Sequence, residues 1–205
     1  MKIGLIREWK QPADKRVALT PTLCRVFKEH YPQIELVVES SPDRTFHDLD
    51  YQAVGIEVVQ DLSDCDVLMG IKEVPIDKLI EGKTYLFFSH TIKAQEYNRH
   101  LLKSILTKKI RLIDYETLLW PQGGRILGFG KWAGIVGAYN AFLSWGEKHK
   151  IYQLPPAYTT SGFEECMQLL QSAKPKGVKI AFTGNGRVAN GIREVLELMK
   201  IQEVE

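Results

Sequence analysis

The sequence predicts an α/β protein. A Rossmann-like parallel-sheet domain comes first, then a long connecting helix, then the beginning of a second, nucleotide-type Rossmann domain. Three observations predict this. Short apolar runs alternate with helical segments through the first 128 residues, the order that builds βαβ units with right-handed crossovers. The run 67–71 is apolar almost throughout, as a strand covered on both faces must be. A last apolar run, 179–183, leads at once into Gly184-Asn185-Gly186-Arg187-Val188-Ala189, the strand–turn–helix order of a dinucleotide fingerprint.

The elements follow in order. Residues 2–6 read as a buried first strand and 7–13 as a polar loop. Thr20-Pro21 pairs an N-cap with a proline in the first turn, so a helix is expected from about Pro21 to His30, with Leu23, Val26 and Phe27 on one face. Residues 34–39 form the second strand. A short helix over 49–54 stops at Gly55, and 56–59 is the third strand. Strands at 67–71 and 85–88 follow. An amphipathic helix over 94–108 buries Leu101, Leu102, Ile105 and Leu106, and a strand at 110–113 comes directly after it. Residues 129–149 read as one long helix. Its Gly130, Gly134 and Gly137 leave flat patches for close backbone approach. A further helix covers 162–172 and another 188–200, with a new strand starting at 201. The expected boundaries are therefore 1–128 for the first domain, 129–177 for the helix and linker, and 178–205 for the nucleotide-type segment.

Composition narrows the function. The 205 residues carry 27 basic and 25 acidic side chains, a net charge of +2, which disfavours a dedicated nucleic-acid binder. Cys24, Cys65 and Cys166 lie far apart, so neither a disulfide framework nor a zinc site is expected. His30, His47, His100 and His149 make no ligand spacing with a carboxylate or thiol, and no metal site is expected. The longest apolar stretch, 132–145, falls short of a bilayer span and the first six residues are too short for a signal peptide. No membrane partner is expected, and the cytoplasm is the default compartment.

The turn at 184–189 suits a phosphate. Gly184 permits the tight turn, Gly186 allows close backbone approach, and Ala189 lets the helix pack near its strand. The same pattern also serves a purely structural tight turn. The acidic residue that reads the ribose belongs ~20 residues further on, where Glu203 and Glu205 stand close to the last residue. On that count the chain should hold a dinucleotide poorly and be the front part of a longer enzyme.

The first domain carries a second constellation. Lys72-Glu73, Ser89-His90 through Lys93, and Asp114-Tyr115-Glu116 each follow a predicted strand, and Lys15-Arg16 precedes the first helix. Parallel strands share one C-terminal edge, so Lys72, His90 and Glu116 are predicted neighbours. Arg16, Lys93 and Arg125 are candidates to clamp carboxylates. Crowded cations there favour a neutral, proton-accepting Lys72, which Glu73 or Glu116 would oppose. Read singly, Lys72 is more often a solvated lysine, and His90 is as often a hydrogen-bonded structural histidine as a catalytic one. Three coincident strand ends favour the functional reading.

These residues carry a family resemblance. Lys15-Arg16-Val17-Ala18-Leu19-Thr20-Pro21 and Gly70-Ile71-Lys72-Glu73-Val74-Pro75 resemble the alanine dehydrogenase and pyridine nucleotide transhydrogenase superfamily. Phe87-Phe88-Ser89-His90-Thr91-Ile92-Lys93-Ala94-Gln95 resembles the lysine-forming saccharopine dehydrogenase and lysine–ketoglutarate reductase branch. Residues 111–116 and 129–134 match that branch too.

The resemblance implies an NAD- or NADP-dependent oxidoreductase with small-molecule substrates. It would join lysine to 2-oxoglutarate and reduce the imine to saccharopine, or run backward. Lys72 and His90 would move protons, and Arg16, Lys93 and Arg125 would bind substrate carboxylates. Glu73 and Glu116 would tune the two bases. Gly184, Gly186, Arg187 and Val188 would form the nucleotide turn. Two other readings stand beside it: an alanine dehydrogenase or transhydrogenase-type enzyme, and a non-catalytic dicarboxylate-binding module. The sequence leaves NAD against NADP, reaction direction and oligomeric state open.

Overall fold

Six parallel strands line up in the order β3-β2-β1-β4-β5-β6 in a computed structural model that describes residues 1–10, 12–175 and 177–201. They are β1 (Lys2–Leu5), β2 (Glu35–Glu39), β3 (Glu57–Val59), β4 (Val67–Met69), β5 (Thr84–Phe87) and β6 (Arg111–Asp114). This is the doubly wound order, and the direction of winding switches between β1 and β4, where Ile3 lies opposite Val67 and Leu5 opposite Met69.

The pleat divides the core. Val37, Leu68 and Tyr85 bury on one face with Leu101 and Ile105. Leu36 and Val38 bury on the other with Ile3, Leu5, Cys24 and Tyr51. Alternate side chains of one strand point to opposite faces, so a parallel sheet needs helices on both. Helix α1 (Pro21–His30) starts as its sequence dictates. Thr20 Oγ1 accepts the Leu23 amide at 3.3 Å, and Pro21 takes the first helical position. Helix α2 spans Asp48–Ala53, and Gly55 follows at a φ of +76°.

Two helical faces differ from expectation. On α1 the inward stripe is Pro21, Cys24 and Phe27, while Leu23 and Val26 are exposed. On α3 (Arg99–Thr107) Leu101 and Ile105 are buried, but Leu102 and Leu106 face solvent at 41% and 69% exposure. A helix this short presents only one i, i+4 row to the sheet, and the neighbouring row stays outside whatever its hydropathy. Helix α3 also begins later than expected. Residues 91–98 form two single 3₁₀ turns instead, with His90 and Ala94 in the left-handed region.

The chain divides into two compact units, Met1–Leu127 and Gly128–Glu205. In the second, α4 (Gly130–His149), α5 (Phe163–Ala173) and α6 (Arg187–Leu198) enclose Tyr139, Phe142, Leu170 and Val195. Gly134 is the flat patch the sequence suggested: a Cβ there would sit 2.0 Å from the Val188 carbonyl oxygen on α6. Gly137 is not one, since nothing lies within 4 Å of it.

The strand expected at 179–183 is absent. Val178, Ile180 and Phe182 lean on the helical core and alternate with the exposed Lys179, Ala181 and Thr183. The period is that of a strand, yet among the described residues no neighbour supplies the ladder hydrogen bonds that define one. The strand expected from 201 falls mostly on residues 202–205, outside those described, as do Glu203 and Glu205.

Candidate functional site

A doubly wound sheet places its crevice beyond the C-terminal strand ends at the switch point. Strands β1, β4, β5 and β6 therefore deliver Glu8, Lys72 and Glu73, Ser89 and His90, and Asp114 and Glu116 to one edge. The switch itself is bridged. Glu8, three residues past β1, accepts the Ile71 amide at 2.6 Å and the Lys72 amide at 2.9 Å. Burial raises the Glu8 carboxyl above its ordinary range, although those two bonds oppose it.

Beside this bridge lies an ion pair. Asp14 accepts Arg16 Nε at 2.9 Å and Nη2 at 2.5 Å. The Arg16 hydrogen bond holds Asp14 below the usual carboxylate range against some burial, and the same bond pushes Arg16 further up. The charge of Lys72 also acts on Asp14, and that of Arg16 on Glu8. Lys72, Arg16, Asp14 and Glu8 thus form one electrostatic group.

His90 anchors a second group. Its Nδ1 is 2.9 Å from Glu116 Oε2 and 3.1 Å from Lys93 Nζ. Its Nε2 faces Glu73 Oε1 at 3.6 Å. Glu116 is 5% exposed and also meets Lys93 Nζ at 3.3 Å and Arg125 Nη1 at 3.7 Å. Burial works against its ionisation. The His90 hydrogen bond and then Lys93 outweigh burial, and its carboxyl lies below the ordinary value. Glu73 shows the same balance, with burial outweighed chiefly by Lys10 at 3.0 Å. His90 adopts φ 56°, a left-handed conformation that costs a non-glycine residue roughly 1–2 kcal/mol.

Local structure explains these placements. Asp114 closes β6 and accepts the Glu116 amide at 2.9 Å, capping the 3₁₀ turn that carries Glu116. Arg125 returns on a hairpin. Leu119 and Arg125 form an antiparallel bridge, and Gly123 and Gly124 take φ of +89° and +84°.

The structure thus unites His90, Glu73, Glu116, Lys93 and Arg125. Lys72 stands at the same sheet edge as the expected neighbours His90 and Glu116. Among the described residues it makes no hydrogen bond or ion pair to His90, and Glu73, the next residue along, faces His90 Nε2. Sequence reasoning missed Glu8, Lys10 and Asp14. Glu8 had one signal: an acidic residue just past the first strand, at the edge where the ligand crevice opens.

The nucleotide-type turn lies in the second unit. Gly184 has φ +89°, and a Cβ on Gly184 or Gly186 would meet nothing within 4 Å. Gly186 caps α6, whose Asn190 amide donates to the Gly186 carbonyl at 3.0 Å. Arg187 and Val188 open the helix, with Arg187 Cβ pressed against Gly130. No group of histidine, cysteine and carboxylate among the described residues is arranged to hold a metal, and no helix is long and apolar enough to cross a membrane.

Known proteins resemble the chain along its length. An "alpha-aminoadipic semialdehyde synthase" of Arabidopsis thaliana is 31% identical over 99% of this chain and 21% of its own length. The mitochondrial protein of that name from Mus musculus is 34% identical over 99% of this chain and 24% of its own. A "saccharopine dehydrogenase [NAD(+), L-lysine-forming]" of Emericella nidulans is 33% identical over 70% of this chain and 39% of its own. The chain spans about a quarter or less of the first two. A solved L-alanine dehydrogenase structure superposes with a TM-score of 0.60 at 22% identity, over 74% of this chain and 42% of that one, which shows a shared fold. Residues 4–136 match the family described as "Alanine dehydrogenase/PNT, N-terminal domain", and the chain therefore belongs to that family.

Proposed function

We propose that this chain supplies the substrate-binding wall of an NAD(P)-dependent oxidoreductase of lysine metabolism. The reaction condenses the lysine side-chain amine with the ketone of 2-oxoglutarate, releases water, and reduces the resulting imine to saccharopine, or runs in reverse. The observation that carries this reading is the His90 cluster: one imidazole between two carboxylates, with Lys93 and Arg125 alongside, on the ligand edge of the sheet. The names of relatives such as the lysine-forming saccharopine dehydrogenase support this choice of reaction.

His90 and Lys72 take and return protons as the ketone becomes an imine. Arg16, Lys93 and Arg125 hold substrate carboxylates, as guanidinium and ammonium groups do through charge-assisted hydrogen bonds. Glu73 and Glu116 flank the two ring nitrogens of His90 and would tune the two bases, His90 and Lys72. A keto acid with two carboxylates fits a site with this many cations better than a monocarboxylate does.

The turn at Gly184–Val188 fits a dinucleotide pyrophosphate. It offers open space above both glycines and the N-terminus of a twelve-residue helix. Gly184, Gly186, Arg187 and Val188 would hold that group, and the bound nucleotide supplies a hydride. Three free, buried cysteines suit a reducing compartment. We place the protein in the cytoplasm; the names of its mammalian relatives point to mitochondria.

The deciding experiment is NADH and NADPH oxidation by the protein joined to its complete nucleotide domain. Turnover with lysine plus 2-oxoglutarate, and none with pyruvate plus ammonia, supports the reading. The opposite preference makes it an alanine dehydrogenase. Binding of 2-oxoglutarate without turnover makes it a dicarboxylate-binding module.

A further inference from the structure

Asp114 ties together the two segments that carry His90 and Glu116. Its Oδ2 accepts the Ser89 hydroxyl at 2.5 Å, and its Oδ1 accepts the Ser89 amide at 3.4 Å and the Glu116 amide at 2.9 Å. Ser89 is wholly buried and directly precedes His90. Its Oγ also lies 2.7 Å from Thr91 Oγ1 and accepts the Thr91 amide at 3.1 Å. The residues on both sides of His90 are thereby fixed, and the His90 carbonyl accepts Asn98 Nδ2 at 3.2 Å. The left-handed backbone of His90 needs such over-determination, because relaxation to an ordinary conformation would turn the ring away.

We propose that Asp114, acting through Ser89, is a positioning residue that sets the His90–Glu116 contact and thereby the ring orientation and tautomer of His90. The assignment rests on the reading of His90 as an acid–base group, but the positioning itself can be measured without turnover. Glu116, 2.9 Å from Nδ1, is within hydrogen-bond distance, while Glu73 stands 3.6 Å from Nε2, so in the neutral ring Nδ1 carries the proton and Nε2 is left as the acceptor. Lys93 then directs its hydrogen to Glu116 Oε1 rather than to the ring. With the staple gone, Glu116 retreats with its turn, Nδ1 loses its acceptor, and the two tautomers move toward equal population.

The test uses histidine labelled with ¹⁵N in the protein, comparing wild type, Asp114→Asn and Ser89→Ala. Ile105→Val serves as a control that loosens the core away from the site. In wild type the ring nitrogens of His90 should report mainly the Nδ1–H form. Both site variants should shift them toward the Nε2–H form. The other four histidines, and His90 in the control, should not move. In the protein with its nucleotide domain, both variants should lower kcat about tenfold or more while KM for 2-oxoglutarate changes less than about twofold. Threonine at 89 should restore most of the loss from Ser89→Ala.

An unchanged His90 spectrum in a folded variant overturns the proposal. So does failure of both variants to fold, since Asp114 is then architectural. Absence of turnover in wild type sinks the assigned reaction but leaves the spectra to decide the positioning.

Discussion

Gly134 and Gly191 lie where helices α4 and α6 cross, and each backbone fills the space a side chain on the other would need. A Cβ on Gly134 would sit 2.0 Å from the Val188 carbonyl oxygen, and one on Gly191 would sit 2.0 Å from that of Lys131. Alanine at 134 must therefore push the helices apart. Gly134→Ala should destabilise the second unit by about 1–3 kcal/mol. Gly137→Ala, with open space around it, should stabilise the same helix by about 0.5–1 kcal/mol. Urea unfolding followed by Trp145 fluorescence would check both.

Lys72 and Arg16 belong to one electrostatic group but should fail differently. In the protein with its nucleotide domain, Lys72→Met should cut kcat by roughly a hundredfold or more and change 2-oxoglutarate affinity little. Equal losses in both would remove Lys72 from proton transfer. Arg16→Ala should raise KM for 2-oxoglutarate about tenfold. Asp14→Asn should lower it if Arg16 binds substrate, because Asp14 already engages that guanidinium.

Glu8 predicts a pH effect of definite sign. Its carboxyl titrates higher folded than unfolded, so the folded state binds more protons there. Stability then falls as pH rises from the ordinary glutamate value, about 4.3, through the folded value. Glu8→Gln lacks this loss. Its melting temperature relative to wild type should improve steadily over that window, and a constant difference would mean that Glu8 is not strained by burial. Glu116 and Glu73 act oppositely, since both are held low. Their contribution is present above about pH 4.3 and disappears as pH falls through their folded values.

The face of α3 can be checked directly. Ile105→Ala should cost about 2–5 kcal/mol, as truncation in a core does. Leu106→Lys, at 69% exposure, should change stability by less than about 0.5 kcal/mol. Comparable losses at both positions would restore the wider apolar stripe that periodicity suggests.

The order of strands and helices in the first unit was readable because each apolar run there pairs within the chain. The run at 179–183 has the same composition and no partner among the described residues, and composition alone cannot distinguish the two cases. Leu102 and Leu106 misled for a related reason, since periodicity finds an apolar face without saying how much of it the sheet covers. In the site, His90, Lys93, Glu116 and Arg125 were readable from strand ends and motif. Asp114 stood out as a strand-end residue, but its bonds did not, and Glu8 was missed. Their work is to accept amides from neighbouring strands 25 to 64 residues away in sequence, and pairings of that kind appear only with strand order.

The switch between β1 and β4 also governs how the site comes into being. Pairing Ile3 with Val67 closes a loop of more than sixty residues, a slow, high-contact-order step in folding. Glu8 cannot reach the Ile71 and Lys72 amides until that step is complete. Glu116 needs the separate pairing of β5 with β6. The His90 cluster therefore has no local precursor in the unfolded chain. It assembles only with those non-local pairings, and a substitution that slows sheet closure will delay the appearance of the site without touching any residue in it.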